Sequence, residues 1–390
     1  MTVQAARQIP YALPLIGEAE IAQVTEALRS GWITTGPKTT EFERRFAGYV
    51  GASHGLGVNS CTAALHLALL GAGVGPGDEV VTTPLTFCAT VNTILHVGAR
   101  PVLADVDPQT LCLSPERVIE RLTSRTKAIL PVHYAGCPAD MDAFTRIAAD
   151  RGLEVIEDAA HAIGTQSRGR PVGSIGDFTC FSFYATKNLT TGEGGMLTTE
   201  NTEASDRLRK MALHGMSRDA WKRYTNAGSW QYEVEAAGFK YNMTDIAAGM
   251  GLAQLDRFDA MQEVRARYVE RYNQAFAEAG FELPADSELP GDRHSWHLYV
   301  LRLDPLQLTI ERGQFIDELK AAGIGTSVHF IPIHLHSFYQ RELEVRPGDF
   351  PVTERAYSRM VSLPLYPRMS EDDVDYVIER VLDIARKHRR

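Results

Sequence analysis

Between residues 56 and 199 the chain alternates short apolar runs with longer segments of helical apolar spacing. Residues 56–59, 79–83, 101–106, 127–132 and 153–157 read as strands. The segments between them, 61–70, 89–96, 114–122 and 140–151, read as helices. The helix at 114–122 is opened by Ser114 as N-cap, with Pro115 at its first position. Strands and helices alternating at this length require βαβ units, hence an α/β fold with a mostly parallel sheet covered on both faces. Ligands of such sheets bind beyond the carboxyl ends of the strands. Asn59, Thr83, Tyr134, Asp158 and Lys187 all fall at or just after those ends, so one rim collects them.

The run 178–184, FTCFSFY, is apolar enough for a strand buried on both faces, and Lys187 follows its end by three residues. Asn188 and a Thr/Gly-rich loop lead to a second strand, 196–199. An ammonium beside so apolar a strand loses hydration, which lowers its pKa and frees the amine to attack a carbonyl. The ordinary alternative is a lysine snorkelling to the surface. Ser60-Cys61-Thr62 opens a helix directly from a strand end. Free N–H groups there make a phosphate site, or Ser60 simply caps the helix. Phe87, in a loop after a strand, either stacks on a flat ring or fills the core. Glu157 and Asp158 end an apolar strand, and alternation sends one of them into the site and the other away. His161, three residues on, reads as a packing or hydrogen-bonding histidine.

Elsewhere, 18–28 places Ile21, Val24 and Leu28 on one helical face and stops at Ser30-Gly31. A long loop, 214–238, carries Trp221, Tyr224, Trp230 and Tyr232, and four aromatics argue for a functional segment. Thr244 caps a long helix running to about residue 280, and the domain boundary is placed within it. A strand at 296–303, a helix at 311–322 and a final helix at 371–387 capped by Ser370 make a smaller α+β domain. The expected division is 1–255 and 256–390.

A chain of 390 residues with 44% hydrophobic and 23% charged side chains can bury the cores of two domains. Its net charge of −9 argues against nucleic acid or anionic membrane as the main partner. Residues 1–14 lack the apolar core of a signal peptide, and no apolar run is long enough to span a bilayer. Five scattered cysteines, never spaced C-x-x-C, fit reduced thiols in the cytoplasm. No G-x-S-x-G elbow supports a hydrolase. His133, His329, His334 and His336 lack a metal-binding frame, so no metal is expected.

A hydroxyl-rich helix start, an aromatic loop, an Asp after a strand, then Ser182 and Lys187 five residues beyond it, occur here in one order. Together they resemble the fold-type I pyridoxal-phosphate (PLP) enzymes, and more closely the DegT/DnrJ/EryC1/StrS sugar aminotransferases. The likeness includes Thr35-Gly36-Pro37 and the stretches 59–65, 98–105, 157–164, 181–195, 238–246, 328–334 and 362–367. It implies a large domain with a mostly parallel seven-stranded sheet plus a small C-terminal domain. It makes Lys187 the Schiff-base lysine and Asp158 the partner of the pyridine nitrogen. Phe87 would stack on the ring and His161 would lie near it, with Cys61, Thr62 and Ser182 at the phosphate. Asn242 would reach the neighbouring subunit's phosphate, which implies a homodimer. His329, Tyr184 and Tyr134 are candidates for holding substrate. The related dehydratases have histidine where this chain has Lys187, so the resemblance implies transamination. The amino group would pass from L-glutamate, through the pyridoxamine form of PLP, to a nucleotide-linked keto sugar. Gly238-Phe239-Lys240-Tyr241-Asn242 departs from the commoner G-x-N-x-R and resembles the subgroup acting on UDP-4-keto sugars, a 4-keto pentose or 4-keto-6-deoxyhexose. A non-catalytic sensor, or a PLP enzyme of amino acids clamping a carboxylate through Arg302, Arg312 or Arg368, are the alternatives.

Overall fold

The computed structural model describes residues 7–217, 232–285 and 289–390. Its strands in chain order are β1 His54–Val58, β2 Glu79–Thr82, β3 Arg100–Leu103, β4 Thr126–Leu130, β5 Glu154–Asp158, β6 Gln166–Ser167, β7 Arg170–Pro171, β8 Phe178–Ser182, β9 Gly195–Thr199, β10 Phe281–Glu282, β11 Tyr299–Leu303 and β12 Met360–Leu363. Seven of them form one sheet in the order β1-β9-β8-β5-β4-β2-β3. The pairs β2–β3, β2–β4, β4–β5 and β5–β8 are parallel, and β9 runs antiparallel to both β8 and β1. This is the mostly parallel sheet expected from the alternation. A second sheet, β10-β11-β12, is wholly antiparallel.

Both faces of the large sheet are packed. One carries Leu56, Val58, Val80, Ile156 and Leu197 against the helix Cys61–Gly71, whose residues from Ala63 to Leu69 are all buried. Beneath the Lys187 loop, Phe42, Phe46, Phe181 and Phe183 interlock with ring centroids 5.0–5.9 Å apart. Each contributes about 1.5–3 kcal/mol by burial, so the loop rests on a rigid floor. Gly195 at the start of β9 has a specific steric role. A Cβ there would lie 2.6 Å from the Ser60 carbonyl carbon and 2.7 Å from the Cys61 nitrogen. Only glycine lets β9 pass so close to that helix start.

Two expectations are revised, and a third falls outside the described residues. The single long helix after Thr244 is two, Asp245–Asp256 and Phe258–Phe276, with Arg257 leaving helical geometry between them. The aromatic stretch with Trp221, Tyr224 and Trp230 lies outside the described residues. The helix Glu18–Ser30 turns Ile21 and Leu28 outward, each more than half exposed, and buries Glu20 and Ala27 instead. Glu20 accepts a hydrogen bond from Gln254 and pairs with Arg257 at 2.7 Å. That polar anchor sets the helix's rotation and leaves its apolar stripe facing away.

Candidate active site

A cavity of about 330 Å³ opens beyond the carboxyl ends of β5 and β8, beside the start of the helix Cys61–Gly71. Lys187, Asp158, Cys61, Thr62, Phe87, His161, Ser182, Tyr184 and His329 all line it. Burial among these groups pulls the Lys187 amine down to about 8, with Cys61 and Asp158 opposing the shift. About a tenth of the amine is therefore unprotonated at pH 7, far more than for an ordinary lysine. Asp158 is 4% exposed, and burial raises its pKa against hydrogen bonds that favour the carboxylate. Thr90 Oγ1 donates to Oδ2 at 2.7 Å and the Ala160 N–H to Oδ1 at 3.1 Å.

Alternation along β5 sends Glu157 to the opposite face, where it is fully buried. It accepts from His133 Nε2, the Gly176 N–H and Thr179 Oγ1 at 2.8–2.9 Å. Because His133 Nδ1 accepts from the Ala139 N–H, its proton sits on Nε2. This pair braces the strand from behind.

His161 Nδ1 accepts from the Ala135 N–H at 3.3 Å, which leaves its proton on Nε2. Its ring lies 4.4 Å from that of His297 and 5.8 Å from that of Phe330. His297 Nδ1 donates to Asn188 Oδ1, and His329 Nδ1 lies 2.9 Å from Ser362 Oγ. Burial, with Lys187 nearby, holds His161 and His297 well below the usual histidine range and His329 at about 4. His294 is held at about 3 by burial. In the unfolded chain each would titrate near the ordinary value of about 6.5. A depressed native pKa gives stability that is full above that value and is lost as pH falls below it. The thermal midpoint is expected to fall steadily between about pH 6.5 and 4, which pH-dependent calorimetry checks.

At the helix start, Ser60 Oγ accepts from the Ala63 N–H, so the capping role is real. It coexists with a cavity wall made by Cys61 and Thr62. Cys61 Sγ donates to the Cys180 carbonyl at 3.5 Å, and burial pushes its thiol well up, keeping it neutral. Phe87, 58% exposed, and Tyr184, 47% exposed, stand at the rim rather than in the core. Tyr134 is not brought to the cavity. It is buried, and its hydroxyl donates to the His329 carbonyl, so it supports the loop instead of meeting substrate. Asn242 is also outside the lining, and its amide donates to Thr35 Oγ1 at 2.7 Å. Tyr11, Thr90, His297 and Phe330 line or support the cavity without having been singled out in the sequence. Each lies far along the chain from Lys187, and none carries a local motif.

A profile of the DegT/DnrJ/EryC1/StrS aminotransferase family matches residues 14–382. The chain belongs to that family. It is 53% identical over 380 residues, 97% of each chain, to the spore coat polysaccharide biosynthesis protein SpsC of Bacillus subtilis. Among solved structures it superposes on the putative sugar aminotransferase Spr1654 of Streptococcus pneumoniae with a TM-score of 0.91. That match has 36% identity in the pyridoxamine-phosphate form and covers 98% of both chains, and the PLP form matches equally well. PseC of Helicobacter pylori, an aminotransferase of pseudoaminic acid biosynthesis, gives 0.90 at 26% identity over 98% of this chain and 100% of its own. The fold is that of the fold-type I PLP enzymes, and the activity is that of a PLP-dependent sugar aminotransferase. The cavity fits that cofactor. It offers an amine with a lowered pKa, a buried carboxylate with a free lone pair on each oxygen, an exposed ring at Phe87 and a helix start for an anion.

Proposed function

We propose that this enzyme moves an amino group from L-glutamate to a nucleotide-linked keto sugar, a UDP-4-keto pentose or 4-keto-6-deoxyhexose. The amino sugar formed would serve surface glycan or natural-product biosynthesis. The observation that carries the sugar reading is the cavity wall: its rim is aromatic, with Phe87, Tyr184 and Phe330, and no arginine is among its described lining residues. The three arginines considered for a carboxylate clamp, Arg302, Arg312 and Arg368, do not line it. Arg302 donates to the Pro108 carbonyl, Arg312 to the Tyr357 carbonyl, and Arg368 is exposed. The relatives in polysaccharide and pseudoaminic acid biosynthesis and the Lys240-Tyr241-Asn242 variant support the same reading.

When bound, PLP supplies an electron-withdrawing ring that takes up the charge left as the donor loses its α-proton. Lys187 holds the cofactor and then, as a free amine, carries that proton. Asp158 keeps the pyridine nitrogen protonated. Cys61, Thr62 and Ser182 hold the phosphate, His161 presents a neutral Nε2–H towards the ring region, and His329 meets the sugar. Asn242 completes the phosphate site of a partner copy in a homodimer. The outward apolar stripe of Ile21 and Leu28, continued by Trp32 and Ile33, supplies a surface for that copy. Five free thiols and the acidic net charge agree with a cytoplasmic enzyme.

The test is optical. The visible band of the purified holoenzyme should bleach with L-glutamate and return with a UDP-4-keto sugar. Return with simple 2-oxo acids alone would reject the sugar reading in favour of amino-acid transamination. No bleaching by L-glutamate would reject the donor.

A further inference from the structure

The carboxylate of Asp158 is held by a relay that no sequence motif announces. Thr90 lies in the first turn of the helix Cys88–His96, and its Oγ1 donates to Asp158 Oδ2 at 2.7 Å. Thr86 Oγ1 lies 2.7 Å from Thr90 Oγ1. An ionised carboxylate can only accept, so the single hydroxyl proton of Thr90 is committed to Asp158. Thr86 must therefore donate to Thr90, and the relay runs one way, from Thr86 through Thr90 to Oδ2. Both threonines are buried, at 2% and 1% exposure, so bulk water cannot replace either hydroxyl. With Ala160 on Oδ1, each carboxylate oxygen has one protein donor and keeps a further lone pair.

We infer that Thr90, backed by Thr86, is a positioning residue that keeps Asp158 ionised and aimed at the pyridine nitrogen of the cofactor. The inference rests on the reading of Asp158 as that nitrogen's partner. Burial works against the charged form of Asp158, and the Thr90 hydrogen bond is the first of the effects that restore it, ahead of Ala160, Lys187 and His133. The thiols of Cys61 and Cys180 also face the carboxylate and, being neutral, leave it uncompensated by cations on that side. Removing the hydroxyl therefore moves Asp158 towards its neutral acid, which cannot hold a protonated ring.

The experiment measures the dissociation constant of PLP for the stripped, full-length protein across roughly pH 6 to 9, in wild type and four variants. Thr90→Val keeps shape and loses the donor. About tenfold weaker binding is expected, with the acid limb of the profile moved up by about one pH unit. Thr90→Ser should restore both. Thr93→Val removes another fully buried hydroxyl of the same helix, one that donates to the Thr90 carbonyl and not to Asp158. It should leave the profile in place. Thr90→Val binding with the wild-type profile, while Asp158→Asn loses affinity, overturns the relay alone. An unchanged Asp158→Asn overturns the role of Asp158 and the relay with it. Should Thr90→Val fail to fold, Thr86→Val carries the test: a smaller shift in the same direction supports the relay, and none overturns it.

Discussion

Lys187→Ala is expected to abolish turnover, by roughly 10⁴-fold or more, because one amine both holds the cofactor and carries the proton. Steady-state kinetics with L-glutamate and a keto sugar measure the loss. A circular-dichroism melt should show the fold intact, since the floor under the loop is built by Phe42, Phe46, Phe181 and Phe183 rather than by the lysine. The variant should also lack the visible band of lysine-bound cofactor. In wild type, the rate at which added PLP is captured should rise with pH with a midpoint near about 8, where half of the buried amine has lost its proton. A midpoint near the ordinary lysine value of about 10.4 would show that burial does not set this amine's chemistry. Retained turnover in Lys187→Ala would remove the residue from its role.

Asp158→Asn should slow the reaction by about 10²-fold or more while the protein stays folded. The change keeps the shape but leaves one acceptor oxygen for two donors, so Thr90 or the Ala160 N–H loses its partner together with the negative charge. What is lost is the preference for a protonated ring, so the effect should fall on kcat more than on KM for the sugar. An equal rise in KM with kcat unchanged would mean that Asp158 serves ground-state binding only. Wild-type kinetics would mean that another group meets the ring nitrogen.

Much of this was written locally. Alternating strand and helix patterns fix the βαβ units because each element must bury one face. Caps at Ser114, Asp140, Thr244 and Ser370 all form as side-chain hydrogen bonds to the third helical N–H. Such signals act over three or four residues, so sequence alone carries them. Lys187 and Asp158 were legible for the same reason, each standing next to the end of an apolar strand. Phe87 was ambiguous because burial of an aromatic ring depends on what faces it, and here Phe330 covers only part of it, leaving it 58% exposed among the described residues.

The sequence by itself determined the sheet, the rim on which its strand ends open, and the amine and carboxylate placed there. The tertiary structure decided which distant groups surround them. Thr90 meets Asp158 across 68 residues, His297 meets Asn188 across 109, and Ser362 meets His329 between elements of the second sheet and the cavity loop. It also decided that Glu20, not Ile21, faces inward, where Gln254 and the part-exposed Arg257 hold its carboxylate. The physical reason is range. Backbone propensity and capping are settled within a turn of helix, whereas the pKa of a lysine or the tautomer of a histidine is settled by whatever the fold brings within about 4–6 Å.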